Sequence, residues 1–144
     1  MSNRAALEPF ALTSLPLQAE AATARLRVLV VEDNRDAADT LCLLLEMLGH
    51  DVQVAYNGPD GVRRATSWGP DVVLCDIGLP GIDGFEVARR LRRQPGTEQA
   101  LLVAITGYGT EQDRRRGFEA GFDHYLVKPA DPDELRRLLA DRAR

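Results

Sequence analysis

The chain of 144 residues lacks any apolar run close to the roughly 20 residues that a membrane-spanning helix needs. It also lacks an excess of positive charge, because its formal net charge at pH 7 is -4. Duplex DNA and anionic membranes are bound through clustered positive charge, so we expect neither as the main partner. Near the N-terminus, Thr13, Ser14 and Pro16 interrupt a weak apolar patch, which argues against a signal peptide.

Cysteine and lysine are both scarce. Cys42 and Cys75 are not spaced as a zinc or redox motif, so we expect two reduced thiols and a cytoplasmic location. Lys128 is the one lysine among 18 basic residues, the others being arginine. A lone lysine in such a chain indicates a position that needs a compact ammonium group on a flexible stem.

The length and the content of 44% hydrophobic and 28% charged residues are typical of one globular domain with an ordinary core. Residues 1–25 are rich in alanine and show no sustained period, so we interpret them as an N-terminal tail or linker. The domain is expected over residues 26–144.

Strand and helix patterns alternate along this domain. A typical helix pattern is the apolar stripe of Ala38, Leu41, Leu45 and Leu48, which Gly49 ends. Five strand–helix units in succession predict an α/β fold: a flavodoxin-like, doubly wound parallel sheet of order 2-1-3-4-5. The predicted strands are 27–32, 51–56, 72–75, 101–106 and 123–127, and the predicted helices are 35–48, 59–68, 85 to just before Pro95, 110–120, and 132 onward.

Polar residues follow the predicted strands where each one ends. Glu32 and Asp33 follow the first strand, Asp76 the third, Thr106 closes the fourth and Lys128 follows the fifth. In an open α/β sheet the carboxyl ends of these strands meet at one edge, beside the switch between strands one and three. The sequence therefore predicts that these five side chains converge.

Their chemistry indicates phosphoryl transfer. Three carboxylates stay ionised together only with a cation among them, and oxygen ligands suit Mg²⁺. A lysine ammonium and a threonine hydroxyl are groups that hold phosphoryl oxygens. Asp76, on the central strand, is the natural nucleophile, and an aspartyl phosphate would be the product.

Four motifs carry a resemblance to a known family. They are VLVVEDN (28–34), DVVLCDIGLPGIDGFE (71–86), AITGYG (104–109) and HYLVKP (124–129). In this order and spacing, residues 26–142 resemble a response-regulator receiver domain, the phosphoacceptor module of two-component and phosphorelay signalling. The resemblance implies a switch that catalyses its own phosphorylation and dephosphorylation, rather than an enzyme with a separate substrate.

The resemblance also implies roles for single residues. Asp76 would accept a phosphoryl group from the phosphohistidine of a histidine kinase or histidine phosphotransfer domain. Tyr125 would be the switch aromatic, and the Lys128–Pro129 bond would be cis. The metal, Mg²⁺ or Mn²⁺, would be held by Glu32, Asp33, Asp76 and the backbone carbonyl of Gly78, and the phosphoryl oxygens by Thr106 and Lys128.

Gly78 and Tyr108 stand where the family places side chains that control access of water to the phosphoryl group. Since Gly78 has no side chain, the sequence does not determine how long the phosphorylated state lasts. Gly78 also disfavours an aspartyl phosphatase, which would need a second acid at this position. A protein-binding module that is never phosphorylated is disfavoured by the intact acid pair, Asp76, Thr106 and Lys128.

The output of the switch has two interpretations. The chain is either a stand-alone regulator or the receiver of a hybrid sensor histidine kinase. In the second case it would belong to the cytoplasmic portion of that kinase. The segment FALTSLPL (10–17) resembles the closing strand of a histidine-kinase ATP-binding domain and favours the hybrid kinase. Docking to an unknown downstream protein, or to a second copy as a dimer, is expected on the face formed by the fourth helix, strand five and the fifth helix, with Arg114–Arg116 at one edge.

Overall fold

The computed structural model describes residues 25–107 and 109–143, and residues 10–17 therefore lie outside the described part. Five strands alternate with five helices along the chain. No helix in the described ranges is both long enough and apolar enough to cross a bilayer. The elements are β1 Arg27–Val31, α1 Arg35–Met47, β2 Asp51–Ala55, α2 Gly58–Trp68, β3 Val72–Asp76, α3 Gly84–Arg92, β4 Leu101–Thr106, α4 Glu111–Ala120, β5 His124–Val127 and α5 Pro132–Ala143.

The five strands form one parallel sheet in the order β2-β1-β3-β4-β5, which confirms the predicted topology. Strand β3 is central and buried along its whole length, as expected for a strand covered on both faces. Its register pairs Cys75 with Val31 of β1 and Asp76 with Ile105 of β4. The carboxyl ends of β1, β3 and β4 therefore lie side by side.

Short polar side chains begin four of the helices. Asn34, Asn57, Asp83 and Thr110 each accept a hydrogen bond from the backbone N–H three residues later, at the start of α1, α2, α3 and α4. This contact satisfies one of the N–H groups that a helix leaves unpaired at its start. The strand-to-helix loops above the sheet are thereby fixed in place.

The helices cover both faces of the sheet. Helices α1 and α5 bury Leu45, Leu135 and Leu139 on one face. Helices α2, α3 and α4 pack on the other face, where Phe85 and Leu91 of α3 are buried. Both cores are apolar, and the polar side chains of the predicted site lie at the carboxyl ends of the strands.

Most element boundaries agree with the prediction to within one residue. The exception is α3, which was expected to run to just before Pro95 but ends at Arg92, with Arg93 as its cap. The residue before a proline avoids helical backbone angles because of a steric clash, and this restricts Gln94. The Lys128–Pro129 bond is cis, as expected.

Candidate functional site

The predicted convergence of strand ends is present at the carboxyl edge of the sheet. Glu32 follows β1, Asp76 is the last residue of β3 and Thr106 the last of β4. Thr106 pairs in the sheet with Val127, which directly precedes Lys128. The parallel register therefore brings residues that are far apart in sequence to one edge.

Three carboxylates lie together at this edge. Glu32, Asp33 and Asp76 each offer an oxygen, and these oxygens all lie within 4.8 Å of one another. Glu32 and Asp76 are buried, at 6% and 9% exposure, whereas Asp33 is exposed. Two of the acids are thus fixed within the protein and the third faces solvent.

Lys128 bridges the two buried acids. Its Nζ donates to Oε1 of Glu32 at 2.7 Å and to Oδ2 of Asp76 at 3.2 Å. The remaining oxygens accept from the backbone, since Asn34 N–H donates to Oε2 of Glu32 at 3.1 Å and Gly78 N–H donates to Oδ1 of Asp76 at 3.0 Å. Each buried carboxylate therefore has one cationic and one backbone partner.

The electrostatics of the cluster favour added positive charge. Burial, together with the nearby charge of Asp76, raises the pKa of Glu32 despite the hydrogen bonds from Lys128 and Asn34. Burial alone would lower the pKa of Lys128, but Glu32 and Asp76 outweigh it and raise that pKa. Lys128 is therefore held as a cation, and three carboxylates still face a single ammonium group.

This donor set fits a hard divalent cation. Carboxylate oxygens with access to water are the ligands that Mg²⁺ prefers, and its two charges would balance those left over by Lys128. The exposed position of Asp33 leaves one side of the cluster open to solvent, where water ligands would sit. We also predict that the backbone carbonyl of Gly78 is a ligand of the metal.

Thr106 and Tyr125 form the second part of the site. Thr106 is buried at 6% exposure, and the Tyr125 ring is buried at 7% in the core below α3 and α4. Burial and the charge of Asp113 raise the pKa of Tyr125, and a hydrogen bond with Thr106 opposes this rise. The guanidinium of Arg114 lies 5.6 Å from the ring centroid. The proposed switch residue thus connects β5 with the start of α4.

Gly78 lies at the open rim beside Asp76. A Cβ atom at this position would meet only Oδ1 of Asp76, at 3.9 Å. A side chain here would therefore begin in van der Waals contact with the Asp76 carboxylate and would have open space around it. Tyr108, the other residue expected to control water access, lies outside the described residues.

Packing requires glycine at Gly84, the first residue of α3, and this requirement was not predicted from the sequence. A Cβ atom there would lie 2.5 Å from the carbonyl oxygen of Asp76 and 2.7 Å from the Cα of Ile77. The Gly84 N–H donates to the carbonyl of Ile77 at 3.0 Å. Glycine lets α3 approach the strand end closely, and its place directly after the capping Asp83 is the signal that could have revealed it.

Comparisons with known proteins agree with this site. The family model "Response regulator receiver domain" matches residues 28–140. The chain is 39% identical over 109 residues to the DNA-binding dual master transcriptional regulator RpaA of Synechocystis, covering 76% of this chain and 45% of RpaA. It is 37% identical over 113 residues to Protein PilH of Pseudomonas aeruginosa, covering 78% of this chain and 93% of PilH. The chain thus spans about half the length of RpaA and nearly all of PilH.

Solved structures share the fold. The receiver domain of a sensor histidine kinase from Pseudomonas aeruginosa PAO1 superposes with a TM-score of 0.77 at 32% identity, over 83% of this chain and 98% of that one. That structure has a magnesium ion coordinated in its active-site cleft. Family model, relatives and fold agree with the acid cluster, and the chain belongs to the response regulator receiver domain family, with a phosphoacceptor role in two-component signalling.

Proposed function

We propose that Asp76 is the residue that accepts the phosphoryl group. The observation that carries this proposal is the position of its carboxylate, which lies between the ammonium of Lys128 and the acid pair Glu32 and Asp33. A carboxylate oxygen of Asp76 attacks phosphorus, the bond from phosphorus to the donor's leaving atom breaks, and an aspartyl phosphate forms. The leaving group takes the electron pair of the broken bond.

The surrounding residues supply positioning and charge. Glu32, Asp33 and Asp76 would hold Mg²⁺, which supplies neutralisation of the charge that develops on the phosphoryl oxygens. Lys128 shifts from the carboxylates toward a phosphoryl oxygen and stays protonated, in keeping with its raised pKa. Thr106 donates its hydroxyl hydrogen to a second phosphoryl oxygen, which requires a change in its hydrogen bond with Tyr125.

The test is phosphorylation by acetyl phosphate with Mg²⁺, followed by mass spectrometry of the intact chain. Wild type is expected to gain the mass of one phosphoryl group, and Asp76→Asn to gain none. Asp83→Asn is the matched control, because Asp83 also lies in the β3–α3 region but caps a helix. A mass gain that survives Asp76→Asn would refute the assignment, and no gain in wild type would favour a binding module that is not phosphorylated.

The donor and setting follow from the family. Receiver domains interact with histidine kinases or phosphotransfer proteins, and we propose such a phosphohistidine as the donor here, with residues 26–144 as the receiver and a cytoplasmic location. A place within a hybrid sensor kinase stays a prediction that rests on residues 10–17. Sequencing the gene upstream of this reading frame tests it, since a kinase domain encoded in frame is expected.

For the output we propose a docking face on α4, β5 and α5. Phe118 of α4 and Val127 of β5 are large apolar side chains exposed at 49% and 46%, so this face offers apolar contact area to a partner. Arg115 of α4 is also exposed. We expect the affinity for a downstream partner, or for a second copy, to change with the phosphate mimic beryllofluoride and to fall in Phe118→Ser. Equal affinity with and without the mimic would contradict this proposal.

A further inference from the structure

The solvent-facing side of α3 carries three arginines around a single acid. Nε of Arg89 lies 3.1 Å from Oε1 of Glu86, and Nε of Arg90 lies 3.0 Å from Oε2. Nη2 of Arg93 lies 3.6 Å from the same Oε2. The side chains of the three arginines, the α3 arginine cluster, are exposed at 49%, 43% and 67%. Three positive charges against one negative charge leave two positive charges unbalanced on this surface.

Stability does not account for this excess of charge. On α2 and α5, Arg63 pairs with Asp60 and Arg136 pairs with Asp133, one arginine to one acid. On α3 the neighbouring guanidinium groups repel one another, and exposed ion pairs contribute little to the free energy of unfolding. The helix dipole favours a cation at the end of α3, but Arg92 in the last turn already supplies one. We therefore looked for a binding role of the α3 arginine cluster.

Glu86 orients two of these arginines and leaves their outer donors free. It accepts from the Nε atoms of Arg89 and Arg90, which restricts both side chains to the surface of the helix. Within residues 25–107 and 109–143, the Nη groups of Arg89 and Arg90 make no hydrogen bond. Guanidinium N–H groups bind carboxylates strongly, often through two parallel hydrogen bonds. The cluster thus offers ordered N–H donors to an anion that arrives from solvent.

Arg116 of α4 extends the positive surface to the neighbouring helix. Its guanidinium carbon lies 4.3 Å from the centroid of the Phe85 ring, near the start of α3. Phe85 and Arg89 are one helical turn apart on the same side of α3, so Arg116 lies beside the cluster. No carboxylate in the described ranges pairs with Arg116. A guanidinium that lies over a ring can still donate from its edge, so Arg116 adds further donors.

We propose that the α3 arginine cluster and Arg116 form a docking surface for an acidic segment of a partner protein. Carboxylates of that segment accept from the Nη groups of Arg89 and Arg90 and from Arg116. A short segment meets only this local positive charge, whereas duplex DNA or an anionic bilayer would also meet the net charge of -4 of the whole chain. Because exposed ion pairs are weak and screened by salt, the contact is transient. The proposal does not depend on which aspartate is phosphorylated.

The experiment is a titration of a fluorescein-labelled hexaglutamate peptide with the full chain, followed by fluorescence anisotropy. A hexaglutamine peptide with the same label is the uncharged control. We expect saturable binding of hexaglutamate and no measurable binding of hexaglutamine. The affinity for hexaglutamate should fall roughly fivefold or more between about 50 and about 300 mM NaCl, because salt screens exposed charges.

Two triple variants with the same change in net charge locate the surface. Replacing all three arginines of the α3 arginine cluster by glutamine should weaken hexaglutamate binding by about tenfold, because three exposed charge contacts are lost together. The matched control replaces three exposed arginines of α5 by glutamine and should change the affinity by less than about twofold. These control positions are Arg136, Arg137 and Arg142.

Thermal unfolding checks that both variants fold, and the single exchange Arg90→Glu tests the same surface if the α3 variant does not. The proposal is overturned if hexaglutamate does not bind wild type saturably, or if both triple variants lose affinity equally. Tighter binding of a duplex of about 20 base pairs, dependent on the same arginines, would refute the assigned class of partner. A wild-type dimer in analytical ultracentrifugation that the α3 variant no longer forms would assign a second copy instead.

Discussion

At the scale of single residues, Lys128 and a divalent metal share the same carboxylates. The ammonium bonds to Glu32 and Asp76, two of the three acids that fit Mg²⁺. Metal binding must therefore weaken at least one of these bonds and place two cations near each other. In its proposed role, Lys128 would hold a phosphoryl oxygen at a cost to metal affinity.

We predict that Lys128→Met binds Mg²⁺ about tenfold more tightly than wild type, because a like charge a few ångströms from the metal is removed. Calorimetric titration with Mg²⁺ measures this change. Lys128→Arg keeps the positive charge and serves as the control, with affinity close to that of wild type. Unchanged or weaker metal binding in Lys128→Met would show that the lysine does not oppose the metal.

A second residue, His50, makes the free energy of unfolding depend on pH. Its side chain is buried, and its Nδ1 accepts a hydrogen bond from the Leu26 N–H at 3.1 Å. Burial lowers the pKa of His50 below the ordinary value of 6.5, although the charge of Asp51 partly opposes this shift. A protonated Nδ1 could no longer accept from Leu26.

The sign of this dependence follows from the lowered pKa. Below pH 6.5 the unfolded chain binds a proton at His50 before the folded chain does, so acid favours unfolding. The stabilisation by neutral His50 is present above that pH and is lost as the pH falls through the lower, folded pKa. We predict that His50→Gln flattens the dependence of the unfolding free energy on pH between about 7 and 5.

Urea unfolding at several pH values measures the effect. His124→Gln, in which the replaced histidine is exposed on β5, is the control and should keep the wild-type dependence. The same steepness in His50→Gln as in wild type would mean that other groups cause the loss of stability in acid.

At the scale of elements, Arg92 connects three segments at the edge of the sheet opposite the acid cluster. From the last residue of α3 it donates to the carbonyls of Gly121, Glu98 and Ala100 at 2.7–2.9 Å. It also forms an ion pair with Asp123 at 2.7 Å. One side chain thereby holds the end of α3 against the segments that lead into β4 and β5.

We predict that Arg92→Leu lowers the free energy of unfolding by about 2–3 kcal/mol, because it leaves several carbonyl groups without their charged donor. Arg93→Leu is the matched control: Arg93 is the next residue, and its 3.6 Å contact with Glu86 is largely exposed. We expect Arg93→Leu to lower the free energy of unfolding by less than about 0.5 kcal/mol. Chemical denaturation gives both values, and equal losses in the two variants would refute the special role of Arg92.

At the scale of the whole molecule, metal binding and folding are linked. The acids of the cluster come from β1 and β3, so their arrangement exists only when the sheet has formed. A ligand that binds the folded state alone stabilises it by mass action. Mg²⁺ should therefore raise the stability of the entire domain and not only that of the loops around it.

We predict that free Mg²⁺ at a hundredfold excess over its Kd raises the free energy of unfolding by about 2.7 kcal/mol, and that a chelator removes this gain. Asp33→Asn should reduce the stabilisation, because it removes one carboxylate of the cluster. Asp133→Asn, an exposed acid on α5, should not. Thermal unfolding across a Mg²⁺ series measures the effect, and stabilisation of equal size in Asp33→Asn would contradict the proposed ligand set.

Much of this molecule was predictable from local patterns. The apolar stripe of α1 and the apolar strand β3 that ends at Asp76 are properties of consecutive residues, so their positions could be read to within a residue or two. Few parallel-sheet topologies are compatible with this alternation of strands and helices, so the strand order could be predicted. The structure confirms the predicted order. That order already placed Glu32, Asp76, Thr106 and Lys128 at one edge.

Contacts between distant segments were decided only by the tertiary structure. The close approach of Gly84 to Asp76, the hydrogen bonds of Arg92 and the burial of His50 depend on how helices and loops pack against the sheet. The sequence by itself determined which residues reach the functional edge, because strand ends and parallel order suffice for this, whereas packing in three dimensions decided the distances between them and their hydrogen-bond partners.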